Sequence, residues 1–273
     1  MASSGSGYDL SASTFSPDGR IFQIEYASKA VENAGTVIGI QCQDGGVVLG
    51  ASKPILHKMI VPSTASYKRI HTLDLHAGCA STGFLPDARV LVQRGMDECA
   101  DYQESYGTKI PPHVLADRLG AYVHYFTLHG ALRPFGASSI IGAYDAELQK
   151  TKLYMVEPNG VAYSYYGVAT GKGKQAAKTE LEKLNLHKDD CAVTTSDAVR
   201  HICKILTMLH KESKDNEGKP LEIEISWICK ESEYQHVGVP KDIIAEARTW
   251  AAEQLEAEEE DDDDDDEEGM EEG

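Results

Sequence analysis

The order of hydrophobic patterns along the chain predicts an α+β fold built as a four-layer α/β/β/α sandwich. Two stacked antiparallel sheets would be covered on their outer faces by helices. Three observations carry this. Two blocks of strand patterns are separated from each other, and from a last strand, by pairs of helical patterns. The first block opens on a turn-marked hairpin running from Gly35 to Lys53. A late segment, Leu221-Glu-Ile-Glu-Ile-Ser-Trp227, alternates apolar with polar residues, as a strand with one buried face does.

Each element has its own signal. Ser16-Pro17-Asp18-Gly19 forms a turn, with Pro pre-set for the second position and Gly able to close it. From Ile21, Phe22, Tyr26 and Ala30 fall at helical spacing beside Ala27, Val31 and Ala34, so a helix precedes the hairpin. Val37 to Gln43 and Val47 to Ser52 read as two strands joined by Gln43-Asp44-Gly45-Gly46. Short strands follow over 70–82. A helix from Asp87 to Tyr106 then aligns Ala88, Leu91, Val92, Met96 and Cys99 and stops at Gly107. A second helix starts at Pro111-Pro112 and stops near Gly130. Strands are expected at Ser138 to Tyr144, Lys152 to Glu157 and Val161 to Tyr166, then helices over 174–186 and 196–212. A last helix begins at Pro240.

With 273 residues and 41% hydrophobic content, the chain is long enough for one large domain with a substantial core. The net charge of −18 is local. Residues 253–273 hold 15 Asp or Glu and no Lys or Arg, which leaves −3 for the rest. That near-neutral body excludes a basic nucleic-acid face. No stretch approaches the roughly 20 apolar residues of a membrane span. The N-terminus lacks the basic and apolar regions of a secretion signal. The six cysteines are scattered without a CxxC, so they read as reduced core residues and not as a zinc site. His57, His71 and His76 have no metal-ligand spacing, and Gly171-Lys-Gly-Lys174 lacks the GxxxxGK[ST] phosphate cradle. No cofactor and no metal are expected.

Three segments then identify the family. Gly7 to Ile40, GYDLSASTFSPDGRIFQIEYASKAVENAGTVIGI, resembles the N-terminal signature of 20S proteasome α subunits. Gly83-Phe-Leu-Pro-Asp-Ala-Arg89 and Arg133-Pro-Phe-Gly136 are also hallmarks of that family. The resemblance spans about residues 7–252. Leu10, where most of its members carry Arg, and the acidic C-terminus narrow it to the group at the seventh ring position. It implies an N-terminal-nucleophile (Ntn) hydrolase fold preceded by the extra α-subunit helix. It also implies partnership with other α subunits in a hetero-heptameric ring, with the catalytic β ring, and with a regulatory particle or activators. The expected setting is protein degradation in the cytoplasm and nucleus, by ubiquitin-dependent and ubiquitin-independent routes, with no nucleic-acid or membrane partner.

Active members of this superfamily free the α-amine of a threonine, which then serves as base for its own hydroxyl. Here Thr36 follows Gly35 inside the chain. The strand glycine of active subunits lies four residues after the nucleophile, and counting back from Gly39 lands on Gly35. Thr36 is therefore one residue out of phase, and a one-residue offset turns a strand side chain to the other face. The aspartate that supports the catalytic lysine aligns with Ser52, and the lysine itself would fall near Lys68 or Arg69. No catalytic residue is expected, although the Gly35-Thr36 junction leaves an autoprocessed threonine hydrolase as the alternative.

The same resemblance assigns Tyr8, Asp9, Pro17 and Tyr26 to a gate cluster holding a mobile tail, residues 1–16, across or away from a pore. A local cap and turn is the competing role for these residues. Leu10 in place of a cation removes one salt bridge from the tail's repertoire. Lys68 and Arg69 fall where the family presents a cation to activator C-termini, with Arg69 the better alignment. A solvated surface pair is the alternative. The core domain is expected over 17–252. Residues 253–273 are expected to form a disordered acidic tail, because eleven consecutive carboxylates from Glu258 to Glu268 repel one another. It would serve either as a docking tail for basic surfaces or as a solubilising extension.

Overall fold

The computed structural model describes residues 7–55, 57, 59–61, 67–188, 191–213 and 219–271. The first elements are α1 (Phe22–Glu32), β1 (Val37–Gln41), β2 (Val47–Pro54), β3 (Ile70–Asp74), β4 (Ala77–Gly83), α2 (Leu85–Tyr106) and α3 (Pro112–Tyr125). They are followed by β5 (Ala137–Asp145), β6 (Lys150–Val156), β7 (Ala162–Ser164), β8 (Gly167–Thr170), α4 (Lys174–Lys183) and α5 (Thr195–Glu212). The chain ends with β9 (Leu221–Ile228), β10 (Val237–Gly238) and α6 (Lys241–Glu271). One sheet has the order β10-β9-β2-β1-β8 and the other β3-β4-β5-β6-β7, with every neighbouring pair antiparallel. This is the four-layer sandwich expected from the element order.

Strand alternation divides the core into three seams. Ile38, Ile40 and Val48 face Ala198, Val199 and Ile202 of α5 and Ala177 of α4. The intervening residues Val37, Val47 and Leu49 face Ile140 and Leu153 of the second sheet. That sheet turns Cys79, Ile141 and Val156 toward Leu91, Leu115 and Leu119 of α2 and α3. Each fully buried Leu or Ile contributes roughly 1.5–3 kcal/mol relative to exposure. Gly39 is what brings the sheets close: a Cβ there would lie 2.8 Å from both Ile140 Cγ2 and Leu153 Cδ1.

Local chemistry sets the boundaries. α5 begins with a capping box in which Thr194 Oγ1 accepts from the Asp197 N–H and the Thr194 N–H donates to the Asp197 carboxylate. α2 stops at Gly107, which takes φ 71°, the left-handed conformation favoured at helix C-termini. The hairpin turn is tied to α5, since the Asp44 carboxylate accepts from Thr195 N at 2.7 Å and from its hydroxyl at 2.9 Å.

Three elements differ from expectation. The strand expected over Val161 to Tyr166 is shortened to β7, and an unexpected strand, β8, follows it in the other sheet, because the chain crosses from one layer to the other between them. α3 ends at Tyr125 and not near Gly130. The acidic run, expected to be disordered, continues α6 as helix to Glu271. The start of α6 is packed through Ala247, Ala251 and Leu255, and extending a nucleated helix costs far less than starting one. At the join, Lys204 of α5 pairs with Glu258 at 2.5 Å. The first six residues of the expected gate tail and the last two of the acidic tail lie outside the described residues.

All six cysteines are free. Five are buried and Cys191 is half-buried. Among the described residues no group of His, Cys, Asp or Glu could hold a metal ion. No described helix is long and apolar enough to cross a membrane.

Candidate functional site at the N-terminal end of the sandwich

Thr36 sits immediately before β1 and is buried. Its nitrogen is an ordinary peptide amide that donates to Ser52 Oγ at 2.9 Å, and its hydroxyl donates to the Lys172 carbonyl at 2.5 Å. Strand parity explains this orientation. Val37 faces the second sheet and Ile38 faces the helices, so position 36 belongs to the helix side and Gly35 to the cleft between the sheets. The position facing the cleft therefore has no side chain, and the Gly35 carbonyl accepts from the Thr82 hydroxyl there. An amide nitrogen has no basic lone pair, so it cannot take a proton from the hydroxyl. The threonine is used as a β-branched strand starter with both polar groups satisfied.

Ser52, in the supporting-carboxylate position, donates its hydroxyl to the Thr36 carbonyl at 3.3 Å and has no charge to offer a lysine. The next residue, Lys53, was not singled out by sequence reasoning. It is buried, 3.5 Å from Glu222 and 3.6 Å from Glu224, and lies over the Tyr67 ring at 5.8 Å. The alternation in β9 contained the signal, but its acidic residues face the cleft end and not solvent. Arg69 belongs to the same group. Its N–H donates to Glu224 Oε2 at 3.0 Å. Burial lowers its pKa, with repulsion from Arg89 adding to the effect and Tyr67 and Glu224 opposing it. Lys68, by contrast, is exposed. The two candidate docking cations therefore have different environments, one half-buried in an acidic seam and the other free to reach outward.

The four residues expected at the gate lie along the tail and α1. The Ser16–Gly19 turn containing Pro17 is closed by Gly19 N donating to Ser16 O at 2.9 Å. Arg20 returns its N–H to Ser16 Oγ at 3.0 Å and forks onto Glu25 at 2.6 and 2.5 Å, so the turn is locked onto the first turn of α1. Tyr26 stacks on Phe22 one turn away, with ring centroids 6.4 Å apart. Tyr8 and Tyr26 are 42% and 45% exposed, which leaves their hydroxyls available to another chain. Among the described residues no hydrogen bond or ring contact joins Tyr8, Asp9, Pro17 and Tyr26 to one another. The tail is instead held to α1 by Gln23, whose amide donates to the Asp9 carbonyl. That residue was missed because its partner is a backbone atom 14 positions away.

The other two hallmark segments do meet. Arg133 reaches Asp87 through both guanidinium nitrogens, at 2.5 and 2.8 Å. The Gly136 N–H adds a third bond to Asp87 at 2.9 Å, and Phe84 N donates to Gly136 O at 2.7 Å. Burial pushes the Asp87 carboxyl up. The Arg133 and Gly136 hydrogen bonds and the Arg133 charge outweigh it, so the carboxyl ends below its ordinary range. Because α1 lies against this junction, with Ala30 beside Gly136, the segments bind α1 to the start of α2 and the entry of β5.

The sequence is similar to those of known proteins. Residues 31–228 match the family described as Proteasome subunit, and residues 8–30 match the N-terminal signature of the A-type proteasome subunits. A protein named Proteasome subunit alpha type-3 from Arabidopsis thaliana is 50% identical over 256 residues, covering 94% of this chain and 98% of its own length. The Drosophila melanogaster protein of the same name is 40% identical, covering 91% and 93%. A Schizosaccharomyces pombe protein named Probable proteasome subunit alpha type-7 is 46% identical, covering 92% and 94%. With the family matched over residues 31–228, the signature over 8–30 with α1 at its end, and relatives 40–50% identical over nearly the whole chain, the chain belongs to the proteasome subunit family, as an alpha-type member.

Proposed function

We propose that this chain is a non-catalytic α subunit of the 20S proteasome core, acting in the cytoplasm and nucleus. It assembles with other α subunits into the outer heptameric ring, seats on the β ring, contributes its tail to the pore gate and offers a cation to activators. One observation supports this above the others. The segment ahead of Thr36 is built into the fold through α1 and its junction with Asp87 and Gly136, so freeing a threonine amine would mean cutting away structure that the fold uses.

Gating rests on the exposed hydroxyls of Tyr8 and Tyr26, which are placed to bond a neighbouring subunit. Tyr26→Ala in the assembled core particle is expected to raise basal hydrolysis of a small fluorogenic peptide by roughly two- to fivefold, the order of one lost hydrogen bond. Unchanged hydrolysis would remove Tyr26 from the gate. For activator docking, exposure favours Lys68 over Arg69. Lys68→Ala is expected to weaken binding of an activator C-terminal peptide about tenfold, the order of one charge-assisted contact. Titration with labelled peptide would show it. Equal binding by the variant would return the assignment to Arg69.

A further inference from the structure

The N-terminal tail does not lie loosely on the body. Ala12 is 1% exposed, although Leu10 and Phe15 on either side are 85% and 65% exposed. Around Ala12 the chain makes a tight loop. The Ser11 and Ser13 hydroxyls are 2.8 Å apart, and Ser13 N donates to Ser11 Oγ at 3.2 Å. This loop rests on Gly130, in the connection after α3. A Cβ on Gly130 would lie 2.8 Å from Ser11 Oγ, 3.4 Å from Ser13 Oγ and 3.8 Å from Ser11 Cβ. Gly130 is not among the glycines with positive φ, so its backbone accepts an ordinary side chain and only the space is missing.

The surface under the tail is firm. Phe126 and Phe135 meet edge to face at 4.6 Å and close the base of the 127–134 connection. Within it, Leu132 N donates to His129 O at 3.0 Å, His129 Nδ1 is 3.0 Å from the Tyr125 carbonyl, and Thr127 is buried with its hydroxyl on the His124 carbonyl at 2.7 Å. The tail is held by one buried methyl group, by the packing of Ser11 and Ser13 over Gly130 and, on α1, by the Gln23 bond to the Asp9 carbonyl. An added methyl at 130 first meets the Ser11 hydroxyl, which must rotate away and give up its bond to Ser13, so the strain falls on the tail and not on the wall.

We propose that Gly130 is the seat of a latch for the N-terminal tail, that Ala12 is its pin, and that the tail pivots at this point when the gate changes state. This inference rests on the gating role proposed above. The latch supplies what that role needs, a hold firm enough to define a closed position and weak enough for one contact to release.

The test uses the assembled core particle carrying Gly130→Ala, Gly130→Val or Ala12→Gly. The last variant removes the methyl pin without adding bulk, so it reads the latch even if the Gly130 variants fail to assemble. Amide hydrogen exchange over residues 7–15 is expected to speed up about tenfold in each assembled variant, as a local opening made one decade easier. Basal peptide hydrolysis should rise with it. Unchanged exchange in the assembled variants would overturn the latch. Faster exchange with unchanged hydrolysis would uphold the latch and overturn the gating role on which its purpose depends.

Discussion

Replacing Asp87 with alanine is expected to cost about 2–4 kcal/mol of stability, well above a typical surface change. Asp87 is buried and accepts three hydrogen bonds, two from Arg133 and one from Gly136 N–H. Most of the loss comes from Gly136, whose buried amide would be left without an acceptor, at about 1–3 kcal/mol. The Arg133 side chain is 62% exposed, so water screens that pair and its share is about 1 kcal/mol or less. Arg133→Ala should therefore be much milder than Asp87→Ala, and Asp87→Asn, which keeps an acceptor, should fall between them. Urea unfolding of the three variants would show this order. Equal losses for Arg133→Ala and Asp87→Ala would mean that the ion pair, and not the amide, holds the junction.

The second large effect is a pH dependence centred on His236. This buried imidazole bridges the two sheets, with Nδ1 2.8 Å from the Thr72 hydroxyl of β3 and Nε2 2.8 Å from the Ser226 hydroxyl of β9. Its ring also fills the space over Gly78, where a Cβ would come within 2.1 Å of it. Burial, helped by repulsion from His71, lowers its pKa from 6.5 to about 4. The unfolded chain therefore takes up this proton first as pH falls. The stabilising contribution is complete above about pH 6.5 and is lost between there and about pH 4, for a total of about 3 kcal/mol. His236→Leu should be less stable than the parent at pH 7.5, because it leaves the buried Ser226 hydroxyl unpaired and takes a partner from the more exposed Thr72. It should also lose less stability between pH 7.5 and 5.0. An unchanged pH slope in the variant would show that other groups carry the acid sensitivity.

These two sites show what local sequence can and cannot reveal. The hairpin from Gly35, the helix before it and the stripe of α2 were legible because each obeys a period that the backbone imposes. The strand β8, which follows β7 but joins the other sheet, was not, since which sheet a strand joins depends on edges built from distant segments. β10 is two residues long, too short to show a period. Lys53 reads as a surface lysine until Glu222 and Glu224, on a strand far along the chain, are placed against it. Asp87 and Arg133 were found as hallmarks of their segments, but their pairing across 46 positions required the fold. In the acidic run, local charge density argues for disorder, while α6 continues as helix to Glu271 from the packed turns ahead of it.

At the would-be nucleophile, one residue of register decided more than composition could. Gly35 occupies the cleft-facing position and Thr36 is turned toward α4, with its hydroxyl spent on the Lys172 carbonyl. Intact mass and N-terminal sequencing of this chain, recovered from assembled particles, test that reading most directly. Retention of the α1 segment ahead of Gly35, with Thr36 still in peptide linkage, is the predicted result. Recovery of a chain that starts at Thr36 and carries turnover of its own would contradict it.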